Sequence, residues 1–232
     1  MYCLYNQNVW NCNPTAHRNK MIRELLDEVN ADVCTFQECA SYSVRTGDAP
    51  LQELMKNGYT EVDGNQNNFT PIFYKTEKFN LKDSGYHLYT GLNDADSKSI
   101  TWAVLENKEN GEKFAVMSTH FWWMFDSDKD NLQRLENVKE LKALCDEVIK
   151  KHNVPVIIGG DFNNGPNSPQ GTEPYEAMLR AGFEDIRYTA PVTTDSHTQR
   201  DCLLPDKTQD MNGEPNITID FIFTYGSGLT AE

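Results

Sequence analysis

Asn8, Glu38, His120 and Asp161 each stand at the carboxyl end of a short apolar segment, and Asp220 lies inside another. The segments are 4–7, 33–37, 115–119, 154–158 and 217–223. Strand ends are rigid and the loops beyond them are exposed, so side chains placed there can converge on one mouth. Carboxylate and amide oxygens are the ligands that Mg²⁺ or Mn²⁺ prefer. A histidine beside them can donate to a phosphate oxygen or move a proton near neutral pH. Asp161 and Asn163 follow Gly159-Gly160 and offer an acceptor and a donor that together can aim a water molecule.

Taken singly, each residue has a plain structural explanation. Asn8 before Trp10 suits a turn, and His120 suits packing. Asp161 after two glycines suits a cap. Glu38 in apolar surroundings costs energy unless it is paired or binds a metal. Asp220 within a buried strand needs a partner of some kind. The order and spacing of all five together argue for a site.

The elements that must position them are read from periodicity. Strands are expected over 4–10, 33–37, 59–62, 69–74, 86–89, 100–106, 113–119, 154–158 and 217–225. Asn110-Gly111 marks a hairpin between two of them. A helix follows Asn13-Pro14, with Met21, Ile22, Leu25, Leu26 and Val29 on one face. A second covers 51–56 and is closed by Gly58. A long third is marked by Leu132, Leu135, Val138, Leu141, Leu144, Cys145 and Val148. A fourth covers 175–180 and is closed by Gly182. Residues 189–215 read as loop. Helices interleaved with strands, and hairpins in the middle, predict an α/β sandwich of two packed mixed sheets with helices outside. A doubly wound sheet would alternate more regularly. No repeat or linker divides residues 1–232, which read as one domain.

Composition narrows the class. The chain has 232 residues, long enough to bury a core without disulfide or metal staples. With 11 Phe, 10 Tyr and 4 Trp it is too aromatic to be disordered. Its 21 basic and 35 acidic residues leave a net charge of −14, which disfavours binding nucleic acid through a basic surface. A nuclease stays open, because divalent cations can bring phosphate to an acidic site. No apolar run is long enough to span a membrane. Six cysteines form no C-x-x-C pair. Cys3 and Cys34 lie in apolar runs and read as small core residues. A reducing, cytoplasmic compartment is the simplest reading; secretion with the leader removed is the alternative. Asn68-Phe-Thr70 and Asn216-Ile-Thr218 match the glycosylation sequon, a pattern common by chance. The chain is read as a monomer.

Five stretches resemble the endonuclease/exonuclease/phosphatase superfamily, of deoxyribonuclease I-like fold. They are Asn8-Val-Trp-Asn11, Asp32-Val-Cys-Thr-Phe-Gln-Glu38, Ser118-Thr-His120, Gly159-Gly-Asp-Phe-Asn163 and Thr218-Ile-Asp-Phe-Ile-Phe223. The resemblance implies a four-layer sandwich and Mg²⁺- or Mn²⁺-dependent hydrolysis of a phosphoester by attack of water on phosphorus. It implies Glu38 as principal metal ligand with Asn8 assisting. Asp161 and Asn163 would position the water and the phosphate, and His120 would steady the charged phosphoryl oxygens. Asp220 would pair with a histidine of a closing Ser-Asp-His segment.

That segment does not occur between Asp220 and Glu232. Ser196-His197 precedes Asp220 and lacks the intervening Asp. The domain is therefore read as incomplete at its C-terminal end, without the family's last strand, and as a poor hydrolase by itself. The competing reading is a non-catalytic binding domain on the same fold. The substrate is held at phosphoester: nucleic acid, nucleotide, phospholipid head group or sugar phosphate. Trp122 and Trp123, in the aromatic run 121–125 after His120, either stack on that substrate or pack in the core.

Overall fold

A computed structural model describes residues 2–9, 16–39, 50–62, 68–169, 171–191 and 217–229. Among these residues the strands form two mixed sheets. The first is ordered β1 (Leu4–Asn8), β2 (Val33–Gln37), β4 (Ile72–Lys75), β3 (Tyr59–Glu61). The second is ordered β5 (Phe79–Leu88), β6 (Ser99–Asn107), β7 (Lys113–His120), β8 (Val156–Asp161), β10 (Asp220–Tyr225), β9 (Glu184–Asp185). β1 runs parallel to β2, and β7 parallel to β8. The helices are α1 (Ala16–Val29), α2 (Pro50–Lys56), α3 (Asp128–His152) and α4 (Glu173–Arg180).

Three apolar cores separate four layers. Ile22 and Leu26 of α1 and Leu51 and Leu54 of α2 pack on Cys34, Phe36 and Phe73 of the first sheet. Val33 and Ile72 meet Ala103, Leu105, Phe114 and Val116 between the sheets. Val138, Leu141, Cys145 and Val148 of α3 cover Met117, Ile158, Phe221 and Phe223 of the second sheet. The expected four-layer α/β sandwich is the fold.

Strand alternation makes the layer between the sheets change character along its length. Leu4, Val33, Val116 and Ile157 are apolar at one end. Two residues on, Asn6, Thr35 and Ser118 face the same layer and join in hydrogen bonds. Thr35 Oγ1 donates to Asn6 Oδ1 (2.8 Å), and Gln37 Nε2 donates to Asn6 Oδ1 (3.0 Å) and across the sheets to Ser118 Oγ (3.1 Å). Gly159 belongs to this row. A side chain there would overlap Thr35 Oγ1 and come 2.9 Å from Asn6 Oδ1, so glycine lets the sheets approach. Another step along the same strands reaches Asn8, His120 and Asp161.

Several expectations are corrected. Leu132 is 60 % exposed, because the amino-terminal half of α3 buries Asp130, Gln133, Arg134 and Asn137 instead. Cys34 is buried, but Cys3 precedes β1 and is exposed. The Asn68 side chain is fully buried and donates to Thr101 Oγ1 (2.8 Å), in keeping with a chance match to the sequon. β5 starts at Phe79, well before the expected strand at 86, and carries a bulge between Leu81 and Asp83. The Asn110-Gly111 hairpin forms with a longer loop, since Asn107 N–H already pairs with Glu112 O. Asp220 opens β10 rather than lying within it, and is half-buried. Trp10, Asn11, Cys12, the Asn13-Pro14 helix start, residues 192–216 with Ser196-His197 and Cys202, and the Asn216 sequon lie outside the described residues.

Candidate active site

The carboxyl ends of β1, β2, β7 and β8 lie at one edge of the sandwich, where the antiparallel β6 and β10 begin. Asp161 is opposite His120 in the β7–β8 register and opposite Asp220 in the β8–β10 register. Glu38 is the first residue beyond β2. Glu38, His120 and Asp161 each offer a ligand atom, and these atoms lie within 4.8 Å of one another. Asn8 joins the two sheets: its Nδ2 donates to Glu38 Oε1 (2.9 Å) and to Asp161 Oδ2 (2.8 Å). His120 Nε2 is 3.6 Å from Asp161 Oδ2.

Two of these residues adopt left-handed backbone, Glu38 with φ +61° and Asn163 with φ +47°. That region costs a non-glycine residue about 1–2 kcal/mol, so the surroundings must impose it. For Asn163 the restraints are visible. Its N–H donates to Asp161 Oδ1 (2.9 Å) and its Nδ2 to Phe121 O (3.0 Å). The same contacts fix the Asp161 carboxylate and tie together the chains leaving β7 and β8.

Burial sets the electrostatics. Asp161 is 4 % exposed, and desolvation pushes its pKa up to about 6 against the hydrogen bonds from Asn8 and Asn163 and the charge of Lys98. His120 is 2 % exposed; burial, and then the Lys98 ammonium, hold its pKa well below the usual imidazole value. It is therefore neutral at pH 7. Lys98 is likewise buried, and desolvation lowers its pKa while Asp161, Glu38 and Asp94 favour its charge.

Lys98 is the residue that sequence reasoning missed. Its Nζ lies 3.0 Å from Nε2 and 3.3 Å from Nδ1 of His120. It precedes β6, and the hairpin register pairs Ile100 with Thr119, which brings Lys98 to the end of β7. The Asn110-Gly111 signal, counted backwards strand by strand, carried that information.

Trp122 and Trp123 part company. Trp122 is 5 % exposed, and its indole N–H donates to Asp130 Oδ1 (2.6 Å). Trp123 is 48 % exposed, and its indole N–H donates to Asp94 Oδ2. The chain between His120 and α3 is clamped from below. Arg134 Nη1 donates to Met124 O (2.6 Å) and Trp122 O (3.3 Å), and Asn137 Oδ1 accepts from Trp122 N (3.1 Å).

The donor set suits a hard divalent cation. Two carboxylates and an amide lie together, and Asp161 is held in a poorly solvated place. A bound cation would be held by Glu38 and Asp161, with Asn8 able to turn its amide oxygen inward.

Residues 6–232 match the profile described as "Endonuclease/Exonuclease/phosphatase family". No curated protein matches the sequence. Among solved structures, the Bacteroides thetaiotaomicron mannosyl-6-phosphatase Bt3783 is similar at 19 % identity and a TM-score of 0.71, over 98 % of this chain and 86 % of that one. Truncated Caenorhabditis elegans TDP2 is similar at 18 % identity and a TM-score of 0.71, over 97 % and 84 %. The human Nocturnin catalytic domain with bound sulfate is similar at 18 % identity and a TM-score of 0.64, over 90 % and 75 %. At these identities the likeness concerns the fold.

Proposed function

The chain belongs to the endonuclease/exonuclease/phosphatase family, and from that premise we propose that it hydrolyses a phosphoester with the help of Mg²⁺ or Mn²⁺. The observation that carries this reading is the convergence of Glu38, His120 and Asp161 within 4.8 Å at the mouth between the sheets, with Asn8 bridging the two carboxylates.

When bound, the divalent cation supplies charge to a phosphoryl oxygen. The chain's own residues do the rest. Asp161 is an acceptor fixed by Asn8 and by the N–H of Asn163. Its carboxylate can accept a hydrogen bond from an attacking water and take its proton. Neutral His120 and the Lys98 ammonium face the position where phosphoryl oxygens gain charge, and their burial strengthens that interaction. Asn163 holds Asp161 and the neighbouring loop in place through its backbone and side-chain amides. Asp220, beside Asp161 in the sheet, adds to the negative field that draws the cation.

The test is turnover of a panel of phosphomonoesters and phosphodiesters with Mg²⁺, with Mn²⁺ and with chelator, on wild type and His120→Ala. Cation-dependent release of product is expected, reduced by His120→Ala about 10²-fold or more. A variant as active as wild type would return His120 to a packing role. No turnover of any ester with either cation would leave a binding domain on this fold.

A further inference from the structure

Resting on the phosphoesterase reading, we propose that Trp123 and Asp94 form a specificity wall for a sugar ring carrying the phosphate. Trp123 is a large apolar surface, half exposed, yet held in place. Its indole N–H is bound by Asp94 Oδ2, and the Trp122 ring lies behind it at 6.4 Å between centroids. The loop that carries both is fixed by Arg134 and Asn137 from α3. An aromatic face immobilised before the ligand arrives is suited to stacking, because no side-chain freedom is lost on binding.

Its place selects what stacks. Trp123 is three residues beyond His120, so their Cα atoms are at most about 11 Å apart. Asp94 sits in the turn that leads into Lys98: its carbonyl accepts from Ser97 N (2.8 Å), Asn93 Oδ1 accepts from Lys98 N (2.9 Å), and Lys98 Nζ lies 3.0 Å from His120 Nε2. The wall therefore stands beside the first ring reached after the ester oxygen. In a hexose 6-phosphate that ring is the sugar, one carbon from the ester oxygen. In a nucleoside 5′-phosphate it is the furanose, at the same one-carbon distance with the base beyond it, so the shape of the ring and not its distance must decide. A pyranose offers an apolar C–H face to the indole and hydroxyl donors to a carboxylate. Among the described residues Asp94 Oδ1 takes no hydrogen bond, so it can accept one from a hydroxyl. The chain carries −14 overall. A polynucleotide would meet repulsion at each further phosphate, whereas a sugar with a single phosphate would not.

The experiment compares glucose 6-phosphate and mannose 6-phosphate with glycerol 3-phosphate, which has no ring, and with thymidine 5′-monophosphate. Kinetics are measured on wild type, Trp123→Ala, Trp123→Phe and Asp94→Ala, each confirmed folded by its thermal transition. Trp123→Ala is expected to raise KM for a hexose phosphate about tenfold and to leave glycerol 3-phosphate within about twofold. Trp123→Phe should recover most of the loss, and Asp94→Ala should move KM in the same direction as Trp123→Ala. Equal losses on ringed and ringless esters, no loss, or a Trp123-dependent preference for the nucleotide would overturn the proposal. If wild type turns over none of the four esters, the phosphoesterase reading fails on these substrates, and calorimetric binding with Mg²⁺ present decides this one. Tighter binding of a hexose phosphate than of glycerol 3-phosphate, lost in Trp123→Ala, would sustain the wall. Equal binding of the two would end it.

Discussion

Asp161→Asn lowers phosphoester turnover by about 10²- to 10⁴-fold without unfolding the protein. Asparagine keeps an oxygen to accept from the N–H of Asn163, which protects the turn after β8. It loses the negative charge, and it sets an amide NH₂ against the Nδ2 of Asn8, which now donates at 2.8 Å. Neither proton acceptance nor cation binding survives that exchange. The check is kcat/KM beside a thermal unfolding curve. A variant within tenfold of wild type would show that Asp161 takes no part in the reaction.

A second large effect concerns the cation and pH. Burial raises the pKa of Asp161 to about 6 from an ordinary 3.8. For an acid raised in this way, the folded state is favoured most below the ordinary value, and that contribution is lost as pH rises through about 6. On two units the loss is on the order of 3 kcal/mol. A cation bound beside the ionised carboxylate offsets it, and competes with the proton below pH 6. At one hundred times its Kd, a cation contributes about 2.7 kcal/mol, or about 5–11 °C in Tm for a protein of this size. That gain is expected at pH 7.5, shrinking at pH 5, and absent in Glu38→Gln. A gain independent of pH, or preserved in Glu38→Gln, would place the cation elsewhere.

Much of the candidate site was legible because it is written in strand ends. Asn8, Glu38, His120 and Asp161 each interrupt an apolar segment, and parallel pairing carries such interruptions to one edge. Side-chain parity is legible too: Asn6, Asn8, Thr35, Gln37, Ser118 and His120 follow the alternation that the strands later obey. Lys98 escaped because a lysine before a strand looks like a solvated flank. Only the hairpin register shows that it ends beside His120.

The long helix was legible from its apolar period, but the face buried by its first turns was not. Leu132 fits the apolar period, but α3 turns Asp130, Gln133, Arg134 and Asn137 inward at that end. Gln133 accepts from Leu92 N (2.8 Å) and donates to Thr90 O (2.7 Å), while Arg134 and Asn137 hold the Trp122 backbone. Loops flanking the site present backbone groups that need polar partners, and a helix face built for them reads as a solvated one. Trp122 and Trp123 were indistinguishable in sequence for a similar reason. Which of two adjacent aromatics faces inward depends on Asp130 and Asp94, and those contacts exist only once the loop is folded.

The most direct measurement is anomalous diffraction from crystals of the protein soaked in Mn²⁺, recorded at the manganese edge. A peak is expected roughly 2.0–2.6 Å from a carboxylate oxygen of Glu38, in the pocket shared with Asn8 and Asp161. A peak elsewhere, with none in this pocket at saturating Mn²⁺ and neutral pH, would contradict this placement.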